Sequence, residues 1–322
     1  MYRIALIALM AALVVPVAGA RSTGGSISLV AYSTPKAAFS TIIPAFNQTA
    51  AGQGVSFTQS YGPSADQANA VVNGLPADVL DLSLEPDMRT LVKAGLVAPT
   101  WNANKYKGII THSVVVIVFR SGNPKHIRSW NDLIKPGVQV LTPNPVTSGG
   151  ARWNVLAAYG AQLKLGKTPK QAAAYLTKLF HHVVVQDKSA RDALNTFLAG
   201  KGDALLTYEN EALLAQRGGQ PVYFNIPKAT IRIDNPIAVT TNSKNKSTAQ
   251  AFVKYLYSPA GQKLFAQSGY RPVLKVATKG YSFPVRPQQF TVDYLGGWTK
   301  IEKKFFDPNT GLMTKIEQGL GG

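Results

Sequence analysis

Apolar positions along the chain fall into short runs rich in β-branched residues, each followed by a polar turn and then by apolar residues at helical spacing. Ile27 to Tyr32 predicts the first strand, and Ser33-Thr34-Pro35-Lys36 follows as a helix start, with Pro35 suited to the first helical position and Thr34 to the cap. Phe39, Ile42, Ile43 and Phe46 then recur at helical spacing and predict a buried face. Val55 to Ser60 predicts a second strand, leading through Tyr61-Gly62-Pro63 to a helix capped by Ser64 with Ala68, Val71, Val72 and Leu75 inward. Ala77 to Leu82 is the third predicted strand and Glu85 to Gly95 the third helix, closed by glycine. Strand and helix in strict alternation predict an α/β fold, a mostly parallel sheet with helices on both faces.

The run Val114 to Phe119 is the strongest strand signal in the chain and predicts the first crossing into a second lobe. Trp130 to Leu133 predicts a short helix, and Gly137 to Leu141 a strand that delivers Thr142-Pro143-Asn144-Pro145-Val146-Thr147-Ser148-Gly149-Gly150, a turn entering a helix that buries Trp153, Leu156 and Ala157. A helix over Pro169 to Phe180, a strand over Val183 to Gln186 and a helix opened by Ser189-Ala190 follow. Asp203 to Tyr208 predicts a strand and Glu209 to Gln216 a helix. Asn235 to Val239 then returns the chain to the first lobe, where Thr248 to Gly269 forms a helix or a pair broken at Ser258-Pro259 and a segment around Trp298 packs. The expected division is a signal peptide over 1–20, a first lobe over 21–112, a second over 113–235, and first lobe again over 236–322.

The N-terminus changes the picture by setting a compartment. Arg3, the apolar run Ile4 to Val15 and small residues at Ala18 and Ala20 predict a secretory signal cut after Ala20. A membrane anchor would need about 20 apolar residues, and Pro16 breaks this run earlier. With 322 residues and 45% hydrophobic content the chain can bury a real core. It has no Cys, which excludes disulfides, a thiol nucleophile, thiolate metal sites and lipid attachment through a mature N-terminal Cys. A free exported protein of the space between two bacterial membranes is expected. The net charge of +18 is scattered and forms no basic helix or interleaved basic and aromatic run, so a solvated basic surface is favoured over a polyanion site, and nucleic acid is not an expected partner.

Candidate chemistry gathers at four strand-to-helix turns, at Ser33-Thr34, Ser64, Ser148-Gly149-Gly150 and Ser189-Ala190. Helix N-termini expose unpaired N–H groups and carry about half a positive charge each, and such turns lie where ligands of open α/β sheets bind. Two turns fall in each expected lobe, so closing lobes could enclose an anion without an ionised partner. A hydroxyl at a single helix start is commonly only a cap; the convergence of four carries the reading. Tyr208 ends a strand before Glu209-Asn210-Glu211 and reads as a boundary aromatic, with a ligand donor as the alternative, while Arg191 and Arg152 sit in first turns, where a cation opposes the helix dipole and an interlobe or capping contact is the functional alternative to a surface side chain. His112, His126, His181 and His182 are scattered and build no metal site. Asp78, Asp81, Glu85 and Asp87 read as a strand end and a helix first turn, and Asp132, Asp187 and Asp192 read likewise, so no metal, cofactor or catalytic set is expected.

Several ordered motifs carry a family likeness. Gly122-Asn123-Pro124-Lys125, Trp130-Asn131-Asp132-Leu133-Ile134-Lys135-Pro136-Gly137, Thr142-Pro143-Asn144-Pro145, Ser148 to Asn154, Tyr208-Glu209-Asn210-Glu211-Ala212 and Leu295-Gly296-Gly297-Trp298 together resemble the periplasmic sulfate-binding proteins of ABC transporters. The resemblance implies a two-lobed type II periplasmic-binding fold that closes on sulfate, delivers it to a membrane permease and catalyses nothing, acting as a monomer. Carried over by position, the implied ligand residues are Ser33 (backbone), Ser64 (hydroxyl), Ser148, Gly149, Gly150, Ala190 and Tyr208, with Thr34, Ser189 and Arg191 supporting. Position 33 often holds an acidic residue in that family and position 208 a tryptophan. A phenol can accept as well as donate, so selectivity against hydrogen phosphate is expected to be softer here. Thiosulfate, molybdate or another oxyanion is the alternative ligand, and a basic polyanion-binding protein the more distant one.

Overall fold

The computed structural model describes residues 24–319; the expected signal peptide and its cleavage after Ala20 lie outside the described residues. In the first lobe, β1 (Ser26–Tyr32) lies between β2 (Ser56–Gly62) and β3 (Val79–Asp81), parallel to both. Parallel neighbours require crossover connections, and α1 (Lys36–Asn47) and α2 (Ser64–Val72) supply them, with α3 (Glu85–Lys93) following β3. The inward face of α1 is Phe39, Ile42, Ile43 and Phe46, as the spacing predicts. Val72 departs from its expectation: it is the last residue of α2 and is 41% exposed.

The second lobe repeats the scheme. Strand β5 (Val140–Leu141) pairs in parallel with β6 (Val183–Val185) and β7 (Ala204–Tyr208). The connecting helices are α4 (Gly149–Lys164), α5 (Pro169–His181) and α6 (Ala190–Leu198), and α7 (Glu209–Arg217) leads on to β8 (Val222–Asn225). Two long antiparallel strands join the lobes, β4 (Ile109–Arg120) and β9 (Arg232–Val239). Residues 109–114 of β4 pair with β9, residues 115–119 pair with β7, and Ile237 to Val239 of β9 pair with β3. Strand β4 thus begins five residues before the predicted Val114. Its first half is masked in the hydrophobic pattern by Thr111, His112 and Ser113, whose polar groups are satisfied inside the fold: Thr111 donates to Asn235 at 3.3 Å, His112 Nδ1 lies 2.6 Å from Asp234, and Ser113 donates to Asn210 at 3.0 Å.

After β9 the chain forms α8 (Lys246–Leu256) and α9 (Pro259–Gln267), broken at Ser258, whose hydroxyl accepts from the Gly261 amide. Strand β10 (Arg271–Pro272) adds to β4. The C-terminal segment carries α10 (Trp298–Ile301) and α11 (Leu312–Glu317) and corrects an expectation. It packs chiefly on α4 of the second lobe, with Trp298 edge-on to Trp153 at 5.0 Å and Phe305 edge-on to Tyr159 at 4.8 Å, and reaches the first lobe through Arg89, which pairs with Glu302. The cause lies in α4, where 13 of 16 residues are buried: a helix apolar on nearly every side needs cover on its outer face too.

Candidate functional site

All seven residues marked as ligand candidates, Ser33, Ser64, Ser148, Gly149, Gly150, Ala190 and Tyr208, line one small cavity between the lobes, with about 160 Å³ of space not filled by atoms. Tyr32, Pro63 and Ser83 complete the lining. Ser33 follows directly on β1, and Gly149 and Gly150 are the first two residues of α4 and Ala190 the first of α6, so their N–H groups have no acceptor one turn back. Ser148 and Ser189 cap these two helices, accepting from Ala151 at 3.4 Å and Asp192 at 3.2 Å, while Ser189 also donates to the Asp192 carboxylate at 2.7 Å.

The two glycines are required by how closely the elements approach. A Cβ on Gly149 would stand 2.3 Å from Ser83 Oγ across the cleft, and one on Gly150 would stand 2.9 Å from the Tyr208 ring and 3.1 Å from Ala190 Cβ. Space for an anion next to the α4 amides exists only without side chains there.

The other two expected caps are corrected. Thr34 does not cap α1: Pro35 takes the N-cap position with φ −76° and ψ −1°, which moves the helix start to Lys36 and leaves Thr34 one residue too far back. Its hydroxyl pairs instead with Tyr270 Oη at 2.8 Å. Ser64 is the first residue of α2, after Pro63, and its hydroxyl accepts from the Ser83 amide at 2.9 Å rather than from its own helix. That leaves the Ser64 proton as a donor.

Ser83 is the residue that sequence reasoning missed. It follows β3, is 1% exposed, and holds four bonds that no local pattern signals. Its amide donates to Ser64, its carbonyl accepts from Trp153 Nε1 at 3.0 Å and from Asn235 Nδ2 at 3.0 Å, and its hydroxyl lies 2.7 Å from Tyr208 Oη. Two of these partners, Trp153 and Tyr208, belong to the opposite lobe. Further ties across the cleft run from the Ala65 amide to the Thr147 carbonyl at 3.3 Å and from Arg191 to the Thr34 carbonyl at 3.1 Å. The lobes are therefore closed on one another around the cavity.

Residues 27–271 match the family of bacterial extracellular solute-binding proteins. The chain belongs to that family. It is 42% identical to the sulfate-binding protein of Synechococcus elongatus, over 94% of this chain and 90% of the relative. It is 34% identical to the thiosulfate-binding protein of Pseudomonas aeruginosa, over 89% of this chain and 91% of the relative. In structure it resembles the sulfate-binding protein SubI of Mycobacterium tuberculosis, with a TM-score of 0.85 and 43% identity, covering 88% of this chain and all of that one. The two-lobed type II periplasmic-binding fold is thereby shown for this solute-binding protein.

Electrostatically, the cavity of this solute-binding protein is lined by neutral groups alone. Arg191 turns away from it: its guanidinium holds the buried Glu211 carboxylate through two bonds of 2.6 Å while reaching Thr34. Arg152 donates to the Pro145 carbonyl at 3.0 Å and lies over the Phe306 ring. Burial pushes the Tyr208 phenol well above its ordinary range, so it stays protonated. Behind Ser64, burial pushes the Asp87 carboxyl up to about 6, opposed by the Ser64 hydroxyl and Arg152. Asp81, 1% exposed, is also driven well above the usual carboxylate range by burial. Asp78 accepts from the Ser28 amide and the Ser243 hydroxyl, and Asp132 from the Arg128 and Ser129 amides, structural roles in both cases. Among the described residues no group of three or more His, Cys, Asp and Glu could hold a metal, and no helix is long and apolar enough to cross a membrane.

Proposed function

We propose that this chain is an exported receptor that binds sulfate between its lobes and hands it to an ABC permease, without catalysis. One observation carries the reading: three helix-start amides, from Gly149, Gly150 and Ala190, and the hydroxyl of Ser64 converge with Ser33, Ser148 and Tyr208 on one small cavity whose lining has no ionised side chain. A fully ionised tetrahedral anion is the ligand that such donors suit, because each oxygen accepts and none needs an acceptor. Roughly seven donors at about 1.5–3 kcal/mol each would contribute a gross ~10–20 kcal/mol, and association costs of several kcal/mol leave micromolar or tighter binding. The sulfate-binding relatives support the choice of ion.

Closure is the signal on this reading, because only the closed form presents both lobes together to the permease. On this reading the lobe boundaries lie at 112/113 and 235/236, inside β4 and β9, two residues before β4 exchanges β9 for β7 and one before β9 exchanges β4 for β3; the C-terminal segment bridges the two lobes. The protein is a monomer of the periplasm, released by cleavage after Ala20, and nucleic acid is no partner. The thiosulfate-binding relative favours thiosulfate as the second reading. Calorimetric titration with sulfate, thiosulfate, molybdate and phosphate tests both: tight sulfate binding is expected, and thiosulfate or molybdate bound in its place would overturn the ion assignment.

A further inference from the structure

We propose that Ser83 is a specificity-determining residue of the anion site, acting with Tyr208 as a hydroxyl pair that presents one donor and one acceptor to the ligand. The proposal rests on the receptor reading above. Both residues line the cavity, both are 1% exposed, and their oxygens lie 2.7 Å apart.

The argument is a count of protons. A hydroxyl has one proton and two lone pairs. When two hydroxyls bond to each other, that bond uses one proton and one lone pair, and the pair keeps one free O–H and three lone pairs. The amides of Gly149, Gly150 and Ala190 can only donate, and one of the two lone pairs of the Ser64 oxygen is taken by the Ser83 amide. Ser83 and Tyr208 are lining hydroxyls bonded to each other, and as a pair they offer the ligand an acceptor beside a donor. Burial holds the phenol protonated, so the pair keeps both its protons across the physiological range.

The consequence differs by ligand. Sulfate uses the free O–H and gains nothing from the lone pairs. A tetrahedral oxyanion carrying one proton uses both: its own O–H donates to one hydroxyl of the pair, that hydroxyl donates to the second, and the second donates to another oxygen of the ligand. Without an acceptor the ligand's proton would be buried unpaired, a loss of the kind that lets polar sites reject analogues. The class admitted is therefore the singly protonated tetrahedral oxyanion, of which hydrogen phosphate is the probe.

The test is Ser83→Ala, which removes the hydroxyl while keeping the amide bond to Ser64 and the carbonyl bonds to Trp153 and Asn235. Freed from the pair, the Tyr208 hydroxyl faces the ligand alone, without the relay by which the pair accepts at one oxygen and donates from the other. Sulfate and inorganic phosphate are titrated calorimetrically into the wild-type protein and the variant at mildly alkaline pH, where phosphate carries one proton. The expected result is measurable phosphate binding to the wild type, and a sulfate-to-phosphate affinity ratio about tenfold or more higher in the variant through loss of phosphate affinity. An unchanged or lower ratio with sulfate binding intact overturns the role of Ser83 and leaves the receptor reading standing. Absence of sulfate binding by the wild type overturns the receptor reading, and this proposal with it.

Discussion

The guanidinium of Arg191, in the first turn of α6, donates across the cleft to the backbone carbonyl of Thr34 at 3.1 Å while it grips Glu211 within its own lobe. Glu211 is 0% exposed, so removing its partner would strand a buried carboxylate. Arg191→Ala is expected to destabilise the fold by about 3–5 kcal/mol, the usual loss when one member of a buried pair is removed. The double variant Arg191→Met with Glu211→Leu removes the stranded charge and should recover most of the thermal stability. Its sulfate affinity should stay below wild type, because the bond to Thr34 is still missing. Recovery of both would show that Arg191 has no part in closure.

Gly149→Ala and Gly150→Ala are expected to fail for different reasons. The Gly149 Cβ meets Ser83 of the other lobe, so it obstructs closure and leaves the open form undisturbed. Sulfate affinity should fall at least about a hundredfold, ~2.7 kcal/mol, with the melting temperature of the ligand-free protein near that of wild type. The Gly150 Cβ meets Tyr208 and Ala190 of its own lobe, so overpacking should lower stability by about 1–3 kcal/mol as well as binding. Thermal melts with and without sulfate separate the two; equal stability losses would contradict the cross-cleft assignment.

How much of this site could be read from the chain alone follows from where each signal resides. Helix starts are local, so Ser148, Gly149, Gly150, Ser189 and Ala190 declare themselves in a few neighbouring residues. Thr34 and Ser64 were marked at the right turns for the wrong reason: the neighbouring prolines shift the start of α1 and α2 by a residue, and tertiary partners, Tyr270 and Ser83, claim the hydroxyls. Ser83 carried no signal, because its four bonds come from residues 19 to 152 positions away. The α/β alternation predicted the sheets, but the first half of β4 was hidden by polar residues that face polar partners, and the placement of Trp298 followed from the all-round burial of α4, which a single helix pattern does not reveal.

Asp87 gives a pH dependence with a definite sign. Its carboxyl is raised from about 3.9 in an unfolded chain to about 6 in the fold, chiefly by burial. Below about pH 4 both states hold the proton and nothing is lost. Between about pH 4 and 6 the unfolded chain ionises first, so stability falls as pH rises, by of order 2–3 kcal/mol, and is level above that. Asp87→Asn should remove this fall, measured as the denaturation midpoint at pH values on either side of the window. Ionised Asp87 also lies behind Ser64, so the wild type should bind sulfate more weakly above about pH 6 than below it, and the variant should not show that step.

Trp153 offers a direct readout of closure. Its ring is 1% exposed, its Nε1 donates to the Ser83 carbonyl of the facing lobe at 3.0 Å, and its edge meets Trp298 at 5.0 Å. Opening the cleft breaks the bond to Ser83 and admits water to one side of the indole, while the packing against Trp298 within the α4 side persists. Adding sulfate to ligand-free protein should therefore shift tryptophan emission to shorter wavelength and saturate at the stoichiometry found by calorimetry. Trp153→Phe keeps the apolar body of the side chain and loses the donor, so it should abolish most of the shift and weaken sulfate binding by about 1 kcal/mol, the value of one buried hydrogen bond, since the Ser83 carbonyl keeps its bond from Asn235. A full shift retained in Trp153→Phe would place the reporter at Trp101, Trp130 or Trp298, and would mean that the Trp153 to Ser83 contact does not open with the cleft.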